Sequence, residues 1–210
     1  MPDTPEIAAL LIGDPPQAWS DLGFVVDSSA VQVSGIRHEL GGERSGIRAW
    51  GVRGLPEEVD DIDGVPSHLA VAPAEPTPAH PNGVTGVDHA VLMTPDLPRT
   101  IESLGAVGLE LRRTRESDTY GGAMRQAFFR MGPVILEVVG GPQPSGDGPA
   151  RFFGIAFNVA DLDATAAYLG ERLHPAKSAV QPGRFIATLD KSAGSTVGIA
   201  FMSEGEAEYS

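Results

Sequence analysis

Two stretches decide the fold of this chain: VDHAVLMTPDLPRTIESLGAVGLELRR at residues 87–113 and FFGIAFNVADLDATAAYLGERL at residues 152–173. Each opens with a short apolar run that predicts a strand. Each then reaches an aspartate, Asp96 or Asp161, which is suited to cap a helix. Apolar residues follow at intervals of three or four positions, which predicts an amphipathic helix. Both stretches therefore predict the order strand, then helix.

Further apolar segments follow each of these helices. MRQAFFRMGPVILEVVGG at residues 124–141 predicts two strands around a Gly-Pro turn, and residues 184–189 and 196–202 predict two more. A weaker copy of the pattern, IAALLIGDPPQAWSDLGFVV, occupies residues 7–26, with Asp14 as the expected helix cap. The chain is thus predicted to repeat a β-α-β-β-β module, which places it in the α+β class.

The repeats divide the chain into four predicted regions. Residues 1–55 form a degenerate βαβββ module, and residues 56–83 form a connector that is first acidic and then rich in Pro and Ala. One short strand is expected in that connector near residues 68–71. Residues 84–203 hold two complete modules, and residues 204–210 form a loose tail.

Composition excludes several classes of protein. The chain has 210 residues, a net charge of −13 and no cysteine. Its acidity disfavours nucleic acid and anionic membranes as partners. Without cysteine it has no disulfide, Cys-bound metal or thiol catalysis. Residues 1–13 lack a basic segment and a long apolar core, and no stretch reaches transmembrane length. We therefore expect a cytoplasmic location.

Three segments together resemble a known superfamily. VDHAVLMTPDL at residues 87–97, MRQAFFRMGPVILEVVGG at residues 124–141 and FGIAFNVADLDAT at residues 153–165 resemble the glyoxalase / bleomycin-resistance / dioxygenase superfamily, or vicinal-oxygen-chelate superfamily, and among its members the actinobacterial-type glyoxalase-like proteins. This resemblance implies that the last two modules pair into one curved sheet with helices outside. We call that sheet, over residues 84–203, the cup.

The resemblance also implies four metal-ligand positions, one on the first and one on the last strand of each paired module. Here they are His89, Glu137, Gly154 and Ala200. Histidine and glutamate suit Zn²⁺, Fe²⁺, Mn²⁺ or Ni²⁺. Glycine and alanine have no side-chain donor, so a divalent metal is possible but the ligand set is incomplete.

Strand alternation gives an independent argument about the first two residues. Side chains alternate between the faces of a strand, and this alternation places His89 and Glu137 on the concave face. A third metal ligand could come from Gln181, Asn158, His80 or a partner chain. Without a metal, His89 and Glu137 would instead form an acid–base pair, and both readings make them the predicted catalytic residues.

Other polar and aromatic residues on the predicted strands are expected to contact a ligand. For the arginines, the competing interpretation is an exposed sheet edge, or a salt bridge with Glu137. Four other histidines, His38, His68, His80 and His174, are expected at the surface. The predicted substrate-binding residues are Arg125, Gln126, Phe153, Asn158, Gln181 and Arg184.

Two functions follow from these observations. The first is a protein that binds a small organic molecule in the cup, as antibiotic-resistance members of the superfamily do, with an incomplete metal site. The alternative is a metal-dependent lyase, isomerase or dioxygenase that acts on an oxygen-bearing substrate. We also expect a homodimer, because an odd module has no partner within one chain.

Overall fold

The computed structural model describes residues 4–42, 44–71, 73–118 and 122–204. Its strands form a six-stranded sheet in the N-terminal part and an eight-stranded sheet in the C-terminal part. Short helices accompany both sheets. This architecture confirms the predicted α+β class. The predicted tail, apart from Glu204, lies outside the described residues.

The N-terminal part supplies one helix and six strands. Its sheet has the order β2-β3-β1-β4-β6-β5. The elements are β1 (Glu6–Ile12), α1 (Pro16–Asp21), β2 (Ala30–Val33), β3 (Ile36–Leu40), β4 (Ile47–Arg53), β5 (Asp61–Ile62) and β6 (Val65–Leu69).

The C-terminal part supplies two helices, a 3₁₀ turn (Gly170–Arg172) and eight strands. Its sheet has the order β12-β13-β14-β11-β7-β10-β9-β8. The elements are β7 (Val84–Thr94), α2 (Leu97–Ala106), β8 (Leu111–Ser117), β9 (Met124–Met131), β10 (Val134–Gly140), β11 (Arg151–Val159), α3 (Leu162–Leu169), β12 (Lys177–Ser178), β13 (Phe185–Thr188) and β14 (Gly198–Ser203).

The two sheets follow one pattern of connection. In the C-terminal sheet, β7 runs parallel to β10, β11 runs parallel to β14, and an antiparallel β7–β11 pair joins the halves. In the N-terminal sheet, β1 runs parallel to β3, β4 runs parallel to β6, and an antiparallel β1–β4 pair joins the halves. The N-terminal strands thus make two shortened modules that pair with each other. We expected a homodimer because an odd module would have no partner within one chain. The two N-terminal modules pair with each other, so this reason does not apply, and the homodimer stays a prediction.

The second of these shortened modules uses part of the expected connector. β5 and β6 lie within residues 56–83 and join the sheet through β4. Asp63 and Gly64 both have positive φ, at 52° and 82°, which forms the tight turn between these strands. Ile62 and Val65 on either side are buried. The acidic composition concealed this hairpin, because only alternate residues face the core.

Local sequence explains how the two cup helices begin and end. The side chain of Asp96 accepts a hydrogen bond from the Arg99 amide at 3.1 Å, and that of Asp161 accepts one from the Ala164 amide at 3.0 Å. Both aspartates are therefore the N-caps that the sequence predicted. Gly108, with φ of 90°, follows α2 and lets the chain turn back toward β8.

The predicted cap of α1 was wrong. Pro15 occupies the N-cap position without a side-chain hydrogen bond. Asp14 is instead buried and accepts hydrogen bonds from the Trp19 indole at 3.0 Å, the Ser195 hydroxyl at 2.7 Å, and the amide and hydroxyl of Thr196. Its carboxylate therefore ties the start of α1 to the loop before β14, a long-range role that local spacing does not reveal.

Aromatic side chains join the two sheets along the convex back of the cup. Trp19 and Phe24 pack against Phe157 of β11, with ring centroids 6.2 and 5.2 Å apart, and Trp50 packs against Phe152 at 5.3 Å. We call this contact the aromatic seam. It leaves the concave face of the cup uncovered by the N-terminal strands.

Candidate functional site

The concave face of the cup encloses a cavity of about 1220 Å³. Each of its lining residues lies between Asp88 and Met202, so the C-terminal sheet alone forms it. Much of the wall is apolar, which is typical of a small-molecule site. The apolar lining residues are Val91, Phe128, Phe129, Ile135, Phe153, Ile155, Ala156, Ala179, Val180, Ile186, Leu189, Ile199, Ala200 and Met202.

A chain of polar contacts crosses the floor of this cavity, beginning at Arg184. Its guanidinium donates to Asp88 Oδ1 at 2.7 Å and to Asn158 Oδ1 at 2.6 Å. The other oxygen of Asp88 lies 2.7 Å from Nδ1 of His89. Because a carboxylate accepts, Nδ1 of His89 is the donor, which leaves Nε2 facing Glu137.

The chain continues from His89 to β8. Nε2 of His89 lies 3.7 Å from Oε2 of Glu137. The amide of Gln126 donates to Oε1 of Glu137 at 2.6 Å, and Nε of Arg115 donates to the Gln126 oxygen at 2.7 Å. The structure thus brings His89 and Glu137 together as the sequence predicted. Asp88 on the same strand holds His89, and Gln126 on the neighbouring strand β9 holds Glu137.

A β-bulge places Asp88 beside His89 on the concave face. In the β7–β11 ladder, Ala156 pairs with His89 and Phe157 pairs with Val87, so Asp88 is an extra residue. Strict alternation would have sent Asp88 to the convex face. The bulge lets two consecutive side chains enter the cavity, which is why the sequence pattern missed Asp88.

The environment of Asp88 keeps it ionised. Burial alone would raise the pKa of its carboxyl, but hydrogen bonds from His89 and Arg184 and the positive charge of Arg184 outweigh burial and lower that pKa. The side chains of Asp88 and Arg184 are each 14% exposed. The ionised carboxylate fixes the imidazole ring of His89, as a carboxylate behind a catalytic or metal-binding histidine does.

The side chains present do not fit the metal site that the resemblance implies. No group of three or more His, Cys, Asp or Glu within the described ranges could hold a metal ion. Gly154 and Ala200 line the cavity without donors. A Cβ on Gly154 would lie 2.2 Å from the Gly198 carbonyl oxygen, so the close approach of β11 and β14 requires glycine there.

The proposed sources of a third ligand are largely committed elsewhere. Asn158 accepts from Arg184. His80 is buried outside the cavity, where its Nδ1 accepts from the Val25 amide at 3.0 Å. Gln181 lines the cavity, and its amide is a weak ligand beside the carboxylates and imidazoles that divalent metals prefer.

The structure divides the six predicted substrate-binding residues into three groups. Gln126, Phe153 and Gln181 line the cavity. Asn158 and Arg184 lie behind its floor, where they position Asp88. Arg125 lies apart from the cavity and pairs with Glu116 at 2.8 Å on the exposed outer strands, in keeping with an edge arginine.

Sequence reasoning missed a set of cations around the cavity. Four arginines come from β8 and β9, and two lysines come from the opposite end of the sheet. Three of the arginines cluster within the RRTR segment of an otherwise acidic chain, and that clustering was the available signal. The cationic lining residues are Arg112, Arg113, Arg115, Arg130, Lys177 and Lys191.

Comparison with known proteins gives matches among solved structures. No family model and no curated protein sequence matches the chain. A triple mutant of 4-hydroxymandelate synthase from Streptomyces coelicolor, a vicinal-oxygen-chelate protein, matches with a TM-score of 0.64 and 13% identity, covering 95% of this chain and 93% of that chain. Methylmalonyl-CoA epimerase from Mycobacterium tuberculosis matches at TM-score 0.48 and 21% identity, covering 59% and 90%.

The first match spans the N-terminal strands as well as the cup, and our conclusion rests on it. Identity of 13% supports a statement about fold and not about activity. No helix within the described ranges has the length and apolarity that a membrane crossing needs. The chain therefore has the vicinal-oxygen-chelate fold that its sequence resembles, extended by a second, smaller sheet.

Proposed function

We propose that the cup binds a small, partly apolar organic molecule and does so without a metal. The observation that carries this proposal is the cavity of about 1220 Å³, whose apolar walls surround a few fixed polar groups. This is the usual composition of a small-molecule site. Asp88, His89 and Glu137 on its floor would orient the bound molecule through hydrogen bonds.

A blocking substitution tests this function. N-phenyl-1-naphthylamine, a neutral dye that fluoresces in apolar pockets, is expected to bind the wild-type protein with one-site stoichiometry. Ala200→Trp fills the cavity and should weaken that binding at least tenfold. The matched control is Ala167→Trp on the exposed side of α3, which should bind like the wild type. Equal binding by all three proteins would refute a site in the cup.

The absence of a metal is tested separately. We expect purified protein to hold less than a tenth of an equivalent of Zn, Fe, Mn or Ni by elemental analysis. Chelator should leave its melting temperature unchanged, since two donors make a weak site. A stoichiometric metal that is lost in His89→Ala would instead support the metal-dependent lyase, isomerase or dioxygenase reading.

Metal-free proton transfer is a second candidate function. It is favoured by the Asp88 contact that leaves Nε2 of His89 facing the cavity and Glu137. We expect that protein in D₂O would exchange a carbon-bound proton adjacent to a carbonyl group in at least one member of a panel of small carbonyl compounds, followed by NMR. His89→Gln should abolish that exchange, and exchange that survives in this variant would remove His89 from the reaction.

A further inference from the structure

We propose that the molecule bound in the cup is an organic anion, whose carboxylate or phosphate group is held by Arg113 and Arg115 at the β8 end. This inference rests on the proposed binding function and adds the chemical class of the ligand. It starts from the distribution of charge, continues through the positions of the two guanidinium groups, and leads to a test with matched charged and neutral probes.

Charge in the cavity is opposite to charge on the chain. The chain carries 28 acidic and 15 basic residues, with a net charge of −13. Among the described residues, six of those basic residues line the cavity, against two acidic residues, Asp88 and Glu137. A cluster of like charges with low-dielectric walls produces a strong local potential. The cavity therefore attracts anions in a protein whose overall charge repels them.

The two acidic residues do not neutralise the arginines of β8. Asp88 is bound by Arg184 and His89 on the floor. Glu137 faces His89 and accepts from Gln126, which separates it from Arg115. Arg112 has a distant and exposed partner in Glu110, at 3.9 Å. Within the part of the chain that the structure describes, the β8 arginines therefore have few carboxylate partners, and an anion from outside would meet their guanidinium groups.

Arg113 and Arg115 are held over an apolar surface. Their guanidinium carbons lie 4.6 and 5.5 Å from the ring centroid of Phe128. Arg115 also donates from Nε to Gln126, which fixes its plane. Their Cα atoms are about 7 Å apart, because the two residues are two positions apart on one strand. Both guanidinium groups lie near the same ring, so one carboxylate or phosphate could accept from both.

The same cluster explains where the rest of the ligand would lie. Phe128 borders the arginines, and in the register of the sheet it pairs with Glu137 on β10. A ligand with its anionic group on Arg113 and Arg115 would place its apolar body across Phe128, toward His89. At the other end of the sheet, Lys177 and Lys191 are exposed and flexible ammonium groups, which recognise anions with less geometric precision.

A pair of dyes that differ by one sulfonate group, and therefore in charge, tests the inference. 8-Anilinonaphthalene-1-sulfonate carries a sulfonate, and N-phenyl-1-naphthylamine is its neutral counterpart. We expect Arg113→Gln/Arg115→Gln to weaken binding of the anionic dye at least tenfold and of the neutral dye less than twofold. Lys177→Gln/Lys191→Gln removes the same charge at the opposite end, so it should weaken the anionic dye less than threefold.

The outcomes separate this inference from the proposed function. If both double variants weaken binding of the anionic dye equally, the effect is one of net charge and the inference is overturned. Unchanged binding of the anionic dye in the arginine variant would also overturn it. In both cases the cup remains a binding site, because the dyes still bind the wild type. Failure of both dyes to bind folded protein would overturn both. Far-ultraviolet circular dichroism and melting temperature confirm that each variant is folded.

Competition identifies the anionic group. 1-Naphthoate and 1-naphthyl phosphate should each displace the anionic dye, and neutral 1-naphthamide should displace it at least tenfold less well. Stronger displacement by the phosphate assigns a phosphate ligand, and stronger displacement by the carboxylate assigns a carboxylate. Equal displacement by the amide would contradict recognition of charge.

Discussion

The six-stranded and eight-stranded sheets share a pattern of connection and differ in what they enclose. N-terminal strands are two to seven residues long, whereas β7 and β11 in the cup have 11 and nine. Longer strands accumulate more twist and can curl around a space. In the N-terminal half, β4 supplies Trp50 to the aromatic seam, α1 supplies Trp19, and Phe24 follows α1. The same topology thus forms a cavity in the C-terminal half and, in the N-terminal half, a layer of β1 to β6 and α1 that packs against the cup. We call this layer the supporting layer.

Two histidines make the same contrast at the level of single residues. His38 on β3 is fully buried, 5.8 Å from Trp19 and 5.6 Å from Phe157 between ring centroids. Its Nε2 has no hydrogen-bond partner within the described residues. His89 faces the cavity between two carboxylates. The first histidine is thus part of the packing between the sheets, whereas the second borders the cavity.

The largest effect that we expect comes from breaking the aromatic seam. Trp19→Ala should lower the free energy of unfolding by about 4 kcal/mol, since it empties a buried site and removes a hydrogen bond to Asp14. Urea unfolding measures this loss. Phe153→Ala in the cavity wall should cost less than about 1 kcal/mol, because Phe153 is half exposed. Equal losses of unfolding free energy in the two variants would contradict the view that the aromatic seam stabilises the fold more than the cavity wall does.

The next effect is a loss of stability in acid that originates in the N-terminal layer. Burial lowers the pKa of His38 from 6.5 to about 4. Between pH 6.5 and pH 4, His38 is therefore protonated in the unfolded chain and neutral in the folded chain. For this reason the free energy of unfolding falls as pH decreases from 6.5 to 4. The loss from His38 is about 3 kcal/mol. Burial also lowers the pKa of His80, which adds a loss of the same sign.

Urea unfolding at pH 7 and pH 4.5 tests this assignment. His38→Phe should retain more stability at the lower pH than the wild type does, relative to each protein at pH 7. His174→Gln, which alters an exposed histidine, should follow the wild type. The prediction is wrong if both variants lose the same stability. Asp14 and Asp88, whose pKa values lie below 3.8, weaken the fold only at still lower pH.

A smaller effect is expected where β11 and β14 meet in the cup. Gly154→Ala places a methyl group against the Gly198 carbonyl oxygen and should cost about 2 kcal/mol. Gly146→Ala, at a position with open space, should change stability by less than about 0.5 kcal/mol. Thermal unfolding compares the two. An unchanged stability of the Gly154→Ala variant would show that the approach of β11 to β14 does not require glycine there.

Much of the cup could be predicted from sequence because its signals are local. Asp96, Asp161 and Gly108 bound helices through contacts within a few residues. The β5–β6 hairpin was hidden by its acidic composition, and Asp14 by partners more than 180 positions away. His38 and His80 were expected at the surface, because polarity says nothing of the two sheets that bury them.

The site was predictable where strand alternation holds. His89 and Glu137 obey it, and the structure places them 3.7 Å apart. Asp88 was not predicted, because its position depends on a bulge in the pairing of β7 with β11. The sequence of β7 alone does not show how that strand pairs. Arg113 and Arg115 were passed over because a lone strand does not reveal which of its faces borders a cavity.

The cavity is encoded by one continuous stretch, from Asp88 to Met202. Exchange of this one stretch of coding sequence would therefore replace every described residue that lines the cavity. The exchanged segment would have to keep the aromatic side chains that meet Trp19, Phe24 and Trp50, and the hydrogen bonds that reach Asp14. The sequences of the supporting layer and of the cup can thus change separately, provided that the residues of the aromatic seam continue to pack against each other.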